Sequence, residues 1–141
     1  MADYKALIRI RKWALDEQRR QLGQLNAALN RIDEELARLA AEYEREQEAI
    51  EETDFIAAAG FGNYTEGMII KRQEYSAARA SVEQQIEAKT EEVRLAFQEL
   101  KKFELAQEEL EAAEEAEQQR LETIELDDIA IEGFARRKGD G

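Results

Sequence analysis

The sequence contains no cysteine, no proline and no histidine, and these absences exclude most catalytic and metal chemistry. Without histidine or cysteine the chain cannot build a Ser–His or Cys–His nucleophile pair, a zinc site of the usual kinds or a histidine-containing di-iron site. Only seven glycines are present, and a nucleotide-binding fold needs glycine-rich loops after its strands. We therefore expect a protein that is not an enzyme and that has no cofactor.

Long apolar runs are also lacking, and basic residues are outnumbered by acidic ones. No stretch of 18 apolar residues occurs, so no transmembrane helix is expected, and the amino-terminal residues lack the apolar run of a secretion signal. There are 20 basic and 33 acidic residues, which gives a formal net charge of −13. Nucleic-acid binding is not expected, because a phosphate backbone requires a basic footprint. The lack of cysteine fits a reducing cytoplasm.

What the sequence does contain is typical of long helices: Ala, Glu, Lys, Arg and Leu make up 82 of the 141 residues. Alternate steps of four and three from Tyr4 to Thr53 meet an apolar residue at 11 of 15 positions. This heptad pattern predicts a first helix over about residues 3–53. The positions of this first ladder are Tyr4, Ile8, Arg11, Leu15, Gln18, Leu22, Leu25, Leu29, Ile32, Leu36, Leu39, Tyr43, Glu46, Ile50 and Thr53.

The heptad pattern stops between Thr53 and Gly67, where three of the seven glycines lie. Gly60 and Gly62 permit the positive φ angles that a chain reversal needs. Asn63 and Glu66 have the spacing of a capping box, which marks a helix start. The break predicts a turn over about residues 54–65, a second helix over about 66–131 and a tail at 132–141.

A second ladder runs from Met68 to Ile124 and is apolar at 11 of 17 positions, with a weaker pattern after Leu110. Two amphipathic helices joined by one turn predict an all-α fold. We expect a single domain over residues 1–141, a long antiparallel two-helix coiled-coil hairpin with a glycine-containing turn near residues 54–66. The alternative, a single rod of roughly 200 Å, is disfavoured by the glycines. The second ladder comprises Met68, Arg72, Tyr75, Arg79, Val82, Ile86, Lys89, Val93, Ala96, Leu100, Phe103, Gln107, Leu110, Glu114, Glu117, Leu121 and Ile124.

Charge suggests how the two helices pair. Folding the chain about residue 62 places residues 1–20 beside residues 104–123. Residues 1–20 have a net charge of +3, and residues 104–132 have a net charge of −11. Opposite charges favour this register, although exposed pairs contribute only about 0–1 kcal/mol each. The last residues, about 17 of them, then form a projecting C-terminal segment about 25 Å long if helical. The segment carries Ile129, Ile131 and Phe134 together with Arg136, Arg137 and Lys138. Its unpaired apolar residues either need a partner or remain disordered.

Two motifs are read as structural. The Glu-rich run at 108–117 could place carboxylates around a divalent cation, but a solvated helix face is favoured because no calcium-loop turn accompanies it. The run from Gly60 to Asn63 is not a dinucleotide fingerprint, because no strand precedes it. No metal site is expected.

Two regions are candidate binding surfaces. Trp13, the only tryptophan, lies off the ladder among basic residues, a pattern typical of interfaces, and the alternative is a ring that lies flat on the helix. The second region is an apolar cluster near the turn, which either packs the turn or forms a patch for a partner. The cluster consists of Tyr43, Phe55, Phe61, Tyr64, Met68 and Tyr75.

The two ends of the chain carry a family resemblance. The amino-terminal block runs Leu-Ile-Arg-Ile-Arg-Lys-Trp over residues 7–13, with Asp16-Glu17 and Arg19-Arg20 after it. The carboxyl-terminal block begins Leu-Asp-Asp-Ile at residue 126 and ends Phe-Ala-Arg-Arg at residue 137. With the chain length, the early tryptophan and the two-helix pattern, the sequence resembles the FliJ family of bacterial flagellar export proteins.

The resemblance implies a non-enzymatic coiled coil that forms the central stalk of the hexameric type III export ATPase. It also implies contacts with the export-gate membrane protein and with export chaperones, and a cytoplasmic position at the inner-membrane base of the flagellum without membrane insertion. The implied gate or chaperone patch is the cluster near the turn, Tyr43, Phe55, Phe61, Tyr64 and Met68. The implied ATPase-binding residues are Arg11, Lys12, Trp13, Arg19, Arg20, Asp127, Asp128, Phe134, Arg136 and Arg137.

A second hypothesis needs no ATPase. A general coiled-coil adaptor or a holdase-type chaperone would use the cluster near the turn to hold apolar segments of client proteins. The two hypotheses differ in their readout, since a holdase suppresses client aggregation alone and a stalk acts on its ATPase.

Overall fold

The computed structural model describes residues 3–51 and 55–139, without the side chains of 55–59. These described residues form two α-helices and no strand, α1 at Lys5–Glu51 and α2 at Phe55–Gly139. The contacts between α1 and α2 are antiparallel, which confirms the predicted all-α, two-helix fold. The chain divides into two compact units. The terminal unit comprises residues 1–13 and 97–141, and the middle unit comprises residues 14–96.

The start of α1 is capped by two side chains. The Asp3 carboxylate accepts a hydrogen bond from the backbone N–H of Lys5 at 3.2 Å, as an N-cap residue does. The side-chain oxygen of Gln107, on α2, accepts the backbone N–H of Tyr4 at 2.8 Å. Both contacts satisfy donors that the first turn of a helix leaves without a backbone partner. They explain why α1 begins here.

In the middle unit the heptad ladders form the interface between the helices. Every ladder position from Leu15 to Tyr43 is at least half-buried, and Leu15 and Leu39 are fully buried. On α2 the ladder residues Met68 and Tyr75 through Ala96 are likewise removed from solvent, whereas Arg72 is exposed. The predicted apolar faces of the two helices are therefore confirmed in this unit.

Polar side chains interrupt this apolar interface at two levels. Lys89 donates hydrogen bonds from Nζ to the side-chain oxygens of Gln18 at 3.0 Å and Gln21 at 2.7 Å. Arg79 donates from Nε to Oδ1 of Asp33 at 2.6 Å. A half-buried ladder cation is thus paired with α1 in each case, and polar layers of this kind fix the register of a coiled coil.

In the terminal unit, α1 covers α2 only as far as Leu110. The rings of Tyr4 and Phe103 lie 6.1 Å apart, and Leu100 and Gln107 are buried. From residue 111 to residue 139 every residue of α2 is exposed except Gly133, which is half-buried. The predicted projecting segment is present, and we call residues 111–139 the free segment. At 1.5 Å per residue it is about 43 Å long.

The predicted turn over 54–65 is wrong for the residues that the structure describes. The second helix begins at Phe55, so Gly60, Gly62 and Gly67 lie inside α2, and no described glycine has a positive φ. A glycine inside a helix costs about 1 kcal/mol relative to alanine. Burial of Phe61, Tyr64 and Met68 against α1 exceeds this cost, so the helix continues through the glycines. The predicted turn residues Thr53 and Asp54 lie outside the described residues.

The predicted helix end at about 131 also differs from the structure, because α2 continues to Gly139. Gly133 adopts helical geometry like its neighbours. The last turn carries Arg136, Arg137 and Lys138, and cations at a helix C-terminus interact favourably with its dipole. The three basic residues therefore stabilise the end of α2, which the sequence predicted to lie about eight residues earlier.

The predicted register is wrong as well. Tyr4 contacts Gln107 in the terminal unit and Asp33 contacts Arg79 in the middle unit. These residue numbers sum to 111 and 112, whereas a fold about residue 62 requires about 124. The physical reason is that α2 begins at Phe55 instead of at about residue 66. As a result, the acidic run after residue 107 does not lie beside the basic start of α1.

Candidate functional site

The first turns of α1 present two different faces. Arg11 points into the interface with α2, where its guanidinium lies 5.7 Å from the centre of the Phe103 ring and its Nε has no hydrogen-bond partner. Lys12 and Trp13 face solvent, and 70% of the surface of Trp13 is exposed. The tryptophan is therefore not part of the interface between the helices, as its position off the ladder predicted.

Trp13 is part of an apolar strip that the sequence motifs did not single out. Leu7, Ile10 and Trp13 follow each other at intervals of three residues, so they share one side of α1, and all three are exposed. We call these three residues the α1 strip. The signal that could have found it is the spacing itself, because Leu7 and Ile10 fall outside the ladder positions.

The two arginines further along α1 belong to the middle unit. Arg20 donates from Nε to the Glu17 carboxylate at 3.0 Å, and this hydrogen bond, with one from Gln21, lowers the pKa of Glu17 to about 2. Arg19 is exposed. Arg20 is thus paired with Glu17, one turn earlier in the same helix, while Arg19 faces solvent.

The free segment carries the remaining terminal residues. Asp127, Asp128, Arg136 and Arg137 are exposed, and Phe134 has 66% of its surface in solvent with the Lys138 ammonium 5.9 Å from its ring centre. Between residues 108 and 132 the chain has eleven acidic residues and one basic residue, Arg120. The segment also exposes large apolar side chains that no described residue covers. They are Leu121, Ile124, Leu126, Ile129, Ile131 and Phe134.

The cluster near the predicted turn packs between the helices of the middle unit. The rings of Tyr43 and Phe61 stack at 5.6 Å, and those of Phe61 and Tyr64 stack at 5.9 Å. Burial raises the pKa of Tyr64, with a further contribution from the nearby Glu42 carboxylate. Met68 is buried, with 5% of its surface exposed. The side chain of Phe55 lies outside the described residues.

Next to this cluster the structure exposes two apolar residues that sequence reasoning missed. Ile69 and Ile70 follow the buried Met68 and have about half of their surface in solvent. The basic residues Lys71 and Arg72 come directly after them and are also exposed. Neither isoleucine is a ladder position, and two consecutive off-ladder isoleucines were the available signal.

No site for a metal or for membrane insertion emerges from the described residues. Their acidic side chains form no group of three or more that could hold a metal ion. Neither of the two helices, over its described residues, is both long enough and apolar enough to cross a bilayer.

The comparison with known families decides the membership. The family described as Flagellar FliJ protein matches residues 1–139, nearly the whole chain. The chain belongs to the FliJ family. No curated protein and no solved structure matches it. The family consists of non-catalytic flagellar proteins, and membership indicates a role related to flagellar protein export.

The residues that the FliJ resemblance assigns to ATPase binding are divided between the two units. Arg11, Lys12 and Trp13 lie near Phe103 in the terminal unit. Asp127 is 24 residues further along α2, which corresponds to about 36 Å of helix. Arg19 and Arg20 belong to the other unit. The terminal unit therefore exposes both the α1 strip and the free segment.

Proposed function

We propose that this FliJ-family protein is the non-enzymatic central stalk of the hexameric flagellar export ATPase, where it promotes assembly and activity of the ring. The observation that carries the proposal is the free segment, a helix of 29 residues whose exposed apolar side chains are covered by no other part of the described chain. A helix of this kind gains stability when a partner covers its apolar residues. A ring with a central pore offers such cover on several sides at once.

The asymmetry of the terminal unit supports a role in turnover. One end of the unit has two helices, since α1 lies against α2 up to Leu110, and the other end has α2 alone. A single asymmetric element in a six-fold pore contacts the subunits unequally. Unequal contacts can bias the order in which the subunits assemble or hydrolyse ATP.

The proposal includes the other partners that the resemblance implies. The middle unit would serve the export-gate membrane protein and the export chaperones, at a cytoplasmic position beneath the inner membrane. The implied patch is the cluster near the turn, and the exposed surface next to it is Ile69 and Ile70 with Lys71 and Arg72. Exposed apolar side chains that are bordered by basic residues are typical of a surface that binds a protein partner.

The first prediction tests the stalk directly. Added to its cognate ring ATPase, the full chain should raise the hydrolysis rate, and a chain that lacks residues 126–141 should leave the rate at that of the ring alone. The described residues that the truncation removes are exposed except the half-buried Gly133, and none of them packs between the helices, so the two-helix core is expected to stay folded, which circular dichroism can check. The Ile69→Ser, Ile70→Ser variant is the control and should stimulate like the full chain. A truncated chain that stimulates fully contradicts the proposal.

The adaptor or holdase alternative uses the cluster near the turn, and Ile69 and Ile70 are the exposed apolar residues next to that cluster. A holdase would suppress aggregation of an unfolded client without any ATPase, and the Ile69→Ser, Ile70→Ser variant would lose this effect. Because the stalk assay and the aggregation assay depend on different residues, each hypothesis can fail without the other.

A further inference from the structure

The free segment continues the interface that α1 covers earlier in α2. The same alternation of three and four residues runs past Leu110 to the end of the helix, while the described part of α1 begins beside Gln107 and leaves these positions uncovered. The four apolar positions among them are Leu121, Ile124, Ile131 and Ala135. The uncovered ladder comprises Glu114, Glu117, Leu121, Ile124, Asp128, Ile131, Ala135 and Lys138.

The two ends of the free segment carry opposite charge. Glu111, Glu114 and Glu115 lie in its first five residues, and Arg136, Arg137 and Lys138 lie in its last turn. A second copy of the same helix in antiparallel orientation brings each acidic end beside a basic end. Because a two-fold axis repeats every contact, this complementarity occurs twice in the pair.

We propose that two copies of this chain pair through their free segments as an antiparallel coiled coil. In the register that best fits the ladder, the numbers of two facing residues sum to about 252. Each ladder residue of one copy then lies in the same layer as a ladder residue of the other copy. In this register Leu121 packs on Ile131 of the second copy, and Glu114 meets its Lys138. The second copy occupies the place on α2 that α1 occupies before Leu110.

The pair is weaker than the interface within one chain. Ile124 faces Asp128 in the same register, and Glu122, Glu125 and Asp127 flank the centre on both copies. These like charges repel, so a partner with basic side chains can displace the second copy. The pairing requires no ATPase and stands or falls separately from the stalk proposal, although both use the free segment.

The second prediction is the mass of the full chain in solution. Sedimentation equilibrium should show a monomer at low concentration and a dimer at high concentration, and Ile131→Asp should shift the chain to the monomer. Leu126→Asp is the matched control, because Leu126 and Ile131 are each 66% exposed but Leu126 lies on the opposite side of the helix. This control should still dimerise. A wild-type monomer at every concentration, or equal loss of the dimer in both variants, overturns the proposal.

Orientation can be tested with introduced cysteines, because the chain has none of its own. Leu121→Cys in one copy and Ile131→Cys in the other should form a mixed disulfide on oxidation. Neither variant alone should crosslink, since identical positions are about 15 Å apart along the axis of the antiparallel pair. Crosslinking of each variant with itself indicates a parallel pair and overturns the antiparallel one.

Discussion

Gln107 shows how one polar side chain defines an end of this fold. It is buried, its Oε1 accepts the backbone N–H of Tyr4 at 2.8 Å, and its Nε2 donates to the Glu111 carboxylate at 2.9 Å. The hydrogen bond to Tyr4 satisfies a donor at the start of α1, and the same residue is the last polar ladder position before Leu110. The boundary between the two-helix part of the terminal unit and the free segment is therefore marked by a capping contact.

Glycine is the residue type whose role the sequence pattern predicted least well. Gly60 and Gly62 read as a turn because glycine permits positive φ, yet both lie in α2. Propensity is a weak signal at single positions, and the aromatic residues interleaved with these glycines gain more from packing than a turn would. The pattern of apolar positions was the better guide.

The third prediction follows from the space around these glycines. A Cβ added at Gly60, Gly62 or Gly23 would meet no atom within 4 Å. Replacement by alanine should therefore stabilise the chain by about 0.5–1 kcal/mol per site, since alanine loses less backbone entropy in a helix. Gly23→Ala is the reference, because Gly23 lies deep inside α1. All three variants can be compared by urea unfolding. If Gly60→Ala or Gly62→Ala destabilises the chain while Gly23→Ala stabilises it, these positions are in a turn and not in a helix.

At the scale of the helices, the sequence predicted the buried faces but not their alignment. A heptad pattern specifies which side of each helix is covered, and the half-buried ladder positions agree with it from Leu15 to Tyr43. Alignment along the axis depends on contacts such as Lys89 with Gln18 and Arg79 with Asp33, which join residues more than 40 positions apart. Net charge over whole segments could not replace these pairings, because exposed charges contribute little.

The fourth prediction concerns the pair of Arg79 and Asp33. Its hydrogen bond lowers the pKa of the Asp33 carboxyl below the ordinary value of 3.8, so the pair stabilises the fold above that pH and loses its effect as the pH falls through the lowered pKa. Asp33→Asn should lower the thermal midpoint slightly at pH 7, and the difference from the wild type should close in acid below pH 3.8.

Asp16→Asn is the control for this pair, because Asp16 is an exposed carboxylate on the same helix. It should change the midpoint less than Asp33→Asn does at pH 7. If both variants unfold at the same temperature as the wild type at pH 7, the pair does not contribute to the alignment of the helices.

For the candidate site, the sequence predicted which segments are exposed but not how they are arranged. Trp13 was expected to face a partner and is exposed, and the carboxyl-terminal block was expected to project and does so. The α1 strip and the pair Ile69 and Ile70 were missed, because they lie between the ladder positions on which the prediction depended. The free segment also begins earlier than expected, since the length of the overhang depends on the register.

At the scale of the whole molecule, both units expose apolar side chains outside the interface between the helices. Family membership gives the protein a role related to flagellar export, and the free segment is the longest part of the described chain that nothing covers. A stalk that binds through this segment would order it on binding, because like charges along an isolated helix weaken it until a partner neutralises them. The ring and a second copy would then compete for the same residues.

The measurement that tests the central claim most directly is hydrogen exchange of the chain with and without its cognate ring ATPase, read by mass spectrometry. We predict that the amides of residues 111–139 exchange quickly in the free protein at concentrations where it is monomeric, and slow at least tenfold when the ring is added. The amides of the buried ladder between Leu15 and Leu39 should be protected equally in both states. Protection confined to the middle unit, or no change over residues 111–139 when the ring is bound, would contradict the account.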